Sequence, residues 1–264
     1  MTLGHELRIL WVTAVTEFKL KYAGSLLGYG WSLAKPFAYF GVLIVVFGHF
    51  LKVGKAVPHF PLYLMTGIVL FTFFLDATSL MLSAIVVRGS MLRRVALQPL
   101  LIPIAVSLTA CITLGVNLLA VGAFIAGSDV TPSFDWLLFP FLILELYVFI
   151  LGLGLILTTL FVRFRDVGQI WELISQLFIF VTPTMFAVST IPLGALRVEF
   201  INPFVQVMQD IRVIMLGAST EHETASSVLA GYGGRMIPIG VAIATFAVGL
   251  AIFRHDAPRF AERV

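Results

Sequence analysis

Hydrophobic residues gather into six long runs separated by short polar connectors: Trp31–Leu51, Pro61–Val87, Leu100–Ala126, Trp136–Val162, Val167–Val188 and Met236–Phe253. A helix crossing about 30 Å of hydrocarbon needs roughly 20 mainly apolar residues, and each run meets or approaches that length. Ahead of the first run, Leu3, Leu7, Leu10, Trp11, Ala14, Val15 and Phe18 recur at helical spacing and form one apolar stripe. Glu6, Thr13 and Glu17 lie off the stripe, and Lys19 and Lys21 close the end where the helix dipole favours cations. The pattern predicts a helix lying in the membrane interface, anchored by Leu7, Leu10, Trp11 and Phe18, with Glu6 and Glu17 facing water. A soluble helix packed on a partner is the other reading of the same stripe.

Between the fifth and sixth runs, Ser189–Arg235 is the longest connector. Asn202 followed by Pro203 makes a helix start, a capping side chain and then a residue suited to the first turn. Phe204, Val207, Met208, Ile211, Ile214 and Met215 then repeat at helical spacing. Arg197, Glu199, Asp210 and Arg212 would each cost about 2.5–3.5 kcal/mol at the centre of a spanning helix. The expectation is therefore broken helices, with breaks near Pro192 and Asn202, that dip into the outer leaflet and return. The charges then stay near the headgroups while Phe204, Met208 and Ile211 are buried; a plain surface loop is the alternative. The predicted fold is all-α integral membrane: six transmembrane helices, an N-terminal amphipathic interface helix and short re-entrant outer helices. As one domain over 1–264 it divides into the interface helix (1–30), five spans (31–188), the outer segment (189–235), the sixth span (236–253) and a tail (254–264).

Composition agrees. The chain is 59% hydrophobic and 12% charged, with mean hydropathy +1.03, where soluble domains run near 45–50% and about 25%. Twelve of the 17 Lys and Arg fall on one set of segments, the set that holds both termini, and five on the opposite side. The positive-inside rule then places both termini in the cytoplasm and the chain, multi-pass, in the inner (cytoplasmic) membrane. The same rule accounts for the net charge of +3 without nucleic acid. Met1–Lys21 carries charges throughout and lacks the apolar core of a cleavable signal peptide. Cys111 is the sole cysteine, so no disulfide forms within one chain.

Motifs for catalysis fail on inspection. His5-Glu6 and His222-Glu223 begin like a zinc-protease helix, but Ile9 and Ser226 stand where the second histidine belongs. No phosphate-cradling G-x-x-x-x-G-K-[ST] occurs, so neither a metal nor ATP is expected on this chain. Charged residues within spans carry more information. Asp76 lies in the second run, Glu145 in the fourth and Glu172 early in the fifth; they either line a polar path or seam, or bond other helices. The connector Arg88–Pro103 sets Met91, Leu92, Val95 and Leu97 against Arg93 and Arg94 and is stopped by proline. It reads as a short amphipathic helix able to lever against a soluble subunit, or as a loop obeying the positive-inside rule.

At these residues the chain resembles the permease subunits of type-2 ABC exporters, particularly those of O-antigen polysaccharide and wall teichoic acid. The family's pattern after the interface helix matches Lys21-Tyr22, Ser25, Leu27-Gly28, Trp31 and Pro36. Further matches are Gly67, Phe71–Phe74 and Asp76 in the second span, Arg93-Arg94-Val95 with Pro99 and Pro103, Phe164-Arg165-Asp166, Thr182-Pro183, and Asn202-Pro203 with Arg212. The chain departs from the pattern at Leu97-Gln98-Pro99, where Phe-Pro is usual, and at Phe71, where the family has Trp. The resemblance implies a homodimeric channel coupled to a separate nucleotide-binding ATPase subunit that carries ATP and Mg. It implies that Arg88 to Leu97 (Arg88, Met91, Leu92, Arg93, Arg94, Val95) is the coupling helix and Phe164, Arg165 and Asp166 a second contact. It implies a polysaccharide substrate on a polyprenyl lipid. Asp76, Glu145, Phe71, Phe74, Pro183, Asn202 and Pro203 are then the channel or gate candidates. The competing readings are an ion-coupled secondary carrier using Asp76 and Glu145 as relays, a type-2 exporter of a lipid or small molecule, and a membrane-embedded lipid-modifying enzyme.

Overall fold

A computed structural model describes residues 3–26, 28–50, 59–89, 98–217, 224–229 and 232–260. Among them every regular element is helical. In chain order these are α1 (Leu3–Tyr22), α2 (Trp31–Leu43, continued by a π-helical stretch Ile44–Phe50), α3 (Phe60–Val87), α4 (Leu101–Ala126), α5 (Phe139–Arg163), α6 (Val167–Val181), α7 (Leu193–Glu199), α8 (Pro203–Leu216), α9 (Ala225–Val228) and α10 (Tyr232–Asp256). Among the described residues, five stretches are long and apolar enough to cross a bilayer: Gly28–Phe50, Phe60–Val87, Leu101–Ala126, Phe134–Arg163 and Gly233–Arg259.

The fifth predicted span is shorter than its apolar pattern. At 15 residues α6 measures about 22 Å, and it ends at Val181 rather than Val188. Pro183 explains the stop: it removes a donor and pushes the residue before it out of the helical region. Thr182 accordingly sits at φ −87°, ψ 149°. Breaks also fall at Pro192, which precedes α7, and at Asn202, whose Oδ1 accepts the Phe204 N–H at 3.0 Å to cap α8.

Helix α3 is the hub, packed by α4 on one side and α5 on the other. Small residues let the helices approach, as is usual in membrane bundles. A Cβ on Gly152 of α5 would strike the backbone of α10 at Phe246, and one on Gly154 would strike Met81 of α3. The main core joins Phe73, Phe74, Leu114, Leu146 and Ile150 to Phe204, Met208 and Ile211 of α8. Every residue from Pro203 to Arg212 is buried. This corrects the expectation for the outer segment: Phe204, Met208 and Ile211 pack inside the protein, and Asp210 and Arg212 lie inside with them.

Helix α1 packs on α4, with the Thr109 hydroxyl donating to the Ala14 carbonyl at 3.3 Å. Glu17 is not simply open to water; it pairs with Arg88 at the end of α3, 2.5 Å away. Of the anchor residues, Trp11 is 61% exposed, Leu10 and Phe18 are half-buried, and the Leu7 side chain lies outside the described residues. Phe18 stacks on Tyr29, with ring centroids 5.3 Å apart.

Candidate functional site

A cavity of about 580 Å³ opens between α2, α3 and α6. Lys35 and Tyr39 line it from α2; Ile68, Phe71, Thr72, Leu75, Asp76 and Ser79 from α3; and Ser175, Gln176, Ile179 and Phe180 from α6. Two helical periodicities meet here. Residues 68, 72, 75, 76 and 79 are one stripe of α3, and 175, 176, 179 and 180 one stripe of α6. The wall is mixed: a cation and a carboxylate, aromatic rings, and hydroxyl and amide groups. Around it, the outer face of α6 is bare, with Leu173, Leu177, Phe180 and Val181 all exposed and only Trp171 buried. Tyr39 and Val42 of α2 are exposed likewise.

Asp76 is not isolated in this wall. Its Oδ2 pairs with Lys21 Nζ at 2.8 Å, which ties the end of α1 to α3. Glu145, the other intramembrane acid singled out, lies elsewhere, beside Gln206 and Asp210 of α8 and Arg235 of α10. There Gln206 Nε2 donates to Asp210 Oδ2 at 2.6 Å, and Arg235 pairs with the same oxygen at 3.2 Å. Asp76 and Glu145 therefore do not form one relay. Glu172 is exposed on α6.

The two phenylalanines assigned to a gate divide. Phe71 lines the cavity and stacks on Phe178, centroids 6.2 Å apart. Phe74 faces inward, where Phe204 at 5.2 Å, Phe178 at 5.3 Å, Trp171 at 6.1 Å and Phe149 at 6.2 Å enclose it. It is thus part of an aromatic core that fixes α6 and α8 on α3, and it borders a separate apolar pocket of about 360 Å³.

Behind the cavity, Pro183 and Arg212 meet. Arg212 Nη1 donates to the Pro183 carbonyl at 2.7 Å, Nη2 to the Thr184 carbonyl at 2.8 Å and Nε to the Tyr63 carbonyl at 3.0 Å. Its guanidinium also lies 3.7 Å from the centre of the Tyr63 ring, a cation–π arrangement. Gly67 leaves the room: a Cβ there would strike the guanidinium and the Thr184 carbonyl. Sequence reading counted Arg212 as a cost and as part of the Asn202-Pro203 match, and gave it no partner. The overlooked signal was its spacing, since Phe204, Met208 and Arg212 follow one another at four-residue intervals on the buried stripe.

At the opposite end of the bundle, Phe164, Arg165 and Asp166 are exposed in the turn from α5 to α6. Arg163 lies over the Phe164 ring at 5.3 Å and Arg165 over Phe161 at 5.4 Å. Arg88 is held by Glu17, while Met91, Leu92, Arg93, Arg94 and Val95 lie outside the described residues.

Apolar helices of bilayer-crossing length around a part-polar groove define a multi-pass membrane protein. The chain belongs to the ABC-2 type transporter family, which matches residues 8–216. Two Klebsiella pneumoniae proteins, each described as O-antigen export system permease protein RfbA, are 23% and 24% identical to it over 261 residues, 98% of this chain and 96% of theirs. A Myxococcus xanthus protein of the same description is 29% identical over 202 residues, 75% of this chain and 76% of that one.

Proposed function

We propose that this chain is the permease subunit of an ATP-driven exporter that moves a lipid-linked polysaccharide, of O-antigen or teichoic-acid type, across the cytoplasmic membrane. It works as a homodimer, and a separate nucleotide-binding subunit binds ATP and Mg and hydrolyses the nucleotide. The observation that carries this reading is the mixed cavity with bare apolar flanks. A groove walled by Tyr39, Phe71 and Phe180 together with Ser79, Ser175 and Gln176 suits sugars, which take hydrogen bonds at their edges and aromatic contact on their faces. The exposed apolar residues of α2 and α6 beside it match what a second copy, or lipid, covers.

Topology follows from the same argument. Six crossings with both termini inside require α6 and the irregular chain to Val188 to act as the fifth. Non-helical backbone at membrane depth is tolerated only where protein satisfies it, and Arg212 supplies donors to the freed carbonyls of Pro183 and Thr184. The level of α1 supports an interface helix. Its Ala14 meets Thr109, 17 residues before the outer end of α4 at Ala126, and its Lys21 meets Asp76, 16 residues after the outer end of α3 at Phe60. At 1.5 Å per residue both contacts lie about 25 Å from those outer ends, and the Glu17–Arg88 pair lies about 42 Å from Phe60, so α1 lies against the inner parts of α3 and α4. Arg88 to Leu97 and Phe164 to Asp166 are the proposed ATPase contacts.

The test is genetic. In a deletion strain the lipid-linked polymer is expected to accumulate on the inner face of the cytoplasmic membrane, and the intact gene is expected to restore surface polymer. Unchanged surface polymer in the deletion strain contradicts the reading.

A further inference from the structure

A second cavity, about 260 Å³, lies where the turn between α1 and α2 meets α3 and α4. Lys21, Trp31, Ser32, Lys35, Thr72 and Asp76 are among its lining residues, and Lys35, Thr72 and Asp76 also line the large groove. The two spaces therefore share a wall. Two lysines face one carboxylate there. Lys21 pairs with Asp76 at 2.8 Å, and Lys35 makes no ion pair among the described residues. The first turn of α2 lines the same space through Trp31 and Ser32. Among its described lining residues, positive side chains outnumber negative ones.

We propose that this cavity holds the phosphate or diphosphate of an isoprenoid lipid carrier between Lys21 and Lys35, with Asp76 as the internal carboxylate that the phosphate displaces from Lys21. This rests on the export of a lipid-linked polymer proposed above and assigns the headgroup a place. Depth is consistent with it. Asp76 lies about 24 Å along α3 from Phe60, which in a hydrocarbon layer of about 30 Å puts the pocket near the inner boundary, where lipid phosphates reside. The carrier tail then faces the bilayer past Trp31 and Tyr39, and the attached sugars face the large groove. An anion that takes Lys21 from Asp76 also loosens the tie between α1 and α3, so loading of the headgroup is linked to the position of the interface helix.

The experiment uses the full chain in phosphatidylcholine nanodiscs, with geranylgeranyl diphosphate, geranylgeraniol and inorganic pyrophosphate as probes. Geranylgeranyl diphosphate is expected to bind, with Lys35→Gln weakening it about tenfold, as loss of one charge-assisted contact does. Lys35→Arg is expected to retain binding, and Asp76→Asn to tighten it about threefold by removing the competing carboxylate. A merely structural role for Asp76 gives the opposite sign. Equal binding by wild type and Lys35→Gln overturns the site, as does weakening by Asp76→Asn. Inorganic pyrophosphate binding as tightly as the lipid makes this a free-anion site and overturns the carrier assignment. Loss of binding when phosphatidylglycerol is added makes the occupant a bulk phospholipid and overturns it too. If Lys35→Gln does not fold, the Lys35→Arg and Asp76→Asn pair decides. Failure here with export still restored by the intact gene refutes the site alone; failure of that restoration refutes the broader function.

Discussion

Arg212 gives three donors to carbonyls on two other elements, those of Tyr63 in α3 and of Pro183 and Thr184 after α6. A buried charge is costly unless hydrogen-bonded, and here the charge closes a gap in the backbone that Pro183 opens. Removing it strands the Pro183 and Thr184 carbonyls, which lie outside any helix, each costing about 1–3 kcal/mol when left unpaired in the interior. Arg212→Met is therefore expected to destabilise the protein by about 3 kcal/mol or more, with Gly67→Ala costing about 1–3 kcal/mol by pushing on the same guanidinium. Thermal unfolding of the purified chain checks both, and an unchanged midpoint for Arg212→Met would sink the role given to it. The four-residue spacing that sets Arg212 on the buried stripe was readable but overlooked, and nothing local pointed to its acceptors, because they lie 28 to 149 residues away in sequence. The same distance hid the partner of Asp76. Lys21 was legible as a cation closing α1, but its pairing with a residue 55 positions on was not.

Element boundaries follow apolar runs where backbone chemistry agrees with them, and depart where it does not. The limits of α3, α4 and α10 fall within a few residues of the runs Pro61–Val87, Leu100–Ala126 and Met236–Phe253. The run Val167–Val188 stays apolar across Thr182-Pro183, so hydropathy continues through a point where the helix cannot. For the outer segment, the breaks at Pro192 and Asn202 were readable from capping chemistry, whereas the burial of α8 in protein was not. An apolar stripe looks the same facing lipid or facing helices. Helix α1 is held by Glu17–Arg88 and Lys21–Asp76. Since Glu17 and Arg88 are partly exposed, their pairing is worth about 0.2–1 kcal/mol after screening. In a double-mutant cycle, Glu17→Arg and Arg88→Glu are each expected to lower the melting midpoint, and the exchanged pair to recover most of the loss. Purely additive losses would show that α1 is not positioned by this contact.

At the scale of the molecule, a multi-pass helical fold was readable from hydropathy alone, and the ordered motif set from Lys21-Tyr22 to Asn202-Pro203 pointed to the family that residues 8–216 match. The groove was not readable, because it arises only when stripes of α2, α3 and α6 face one another. Its mixed wall and bare flanks suit a polymer path shared by two copies, and its shared wall with the Lys21 and Lys35 pocket suits a substrate with an anionic lipid end. Purified chain, reconstituted in proteoliposomes with its ATPase and loaded with lipid-linked polymer, puts this to the most direct test. The measurement is protection of the polymer from an external glycosidase, with and without ATP, and with and without an ion gradient. The account predicts transfer that requires ATP hydrolysis, proceeds with no gradient, and depends on the lipid diphosphate. Transfer driven by a gradient in the absence of ATP would contradict it.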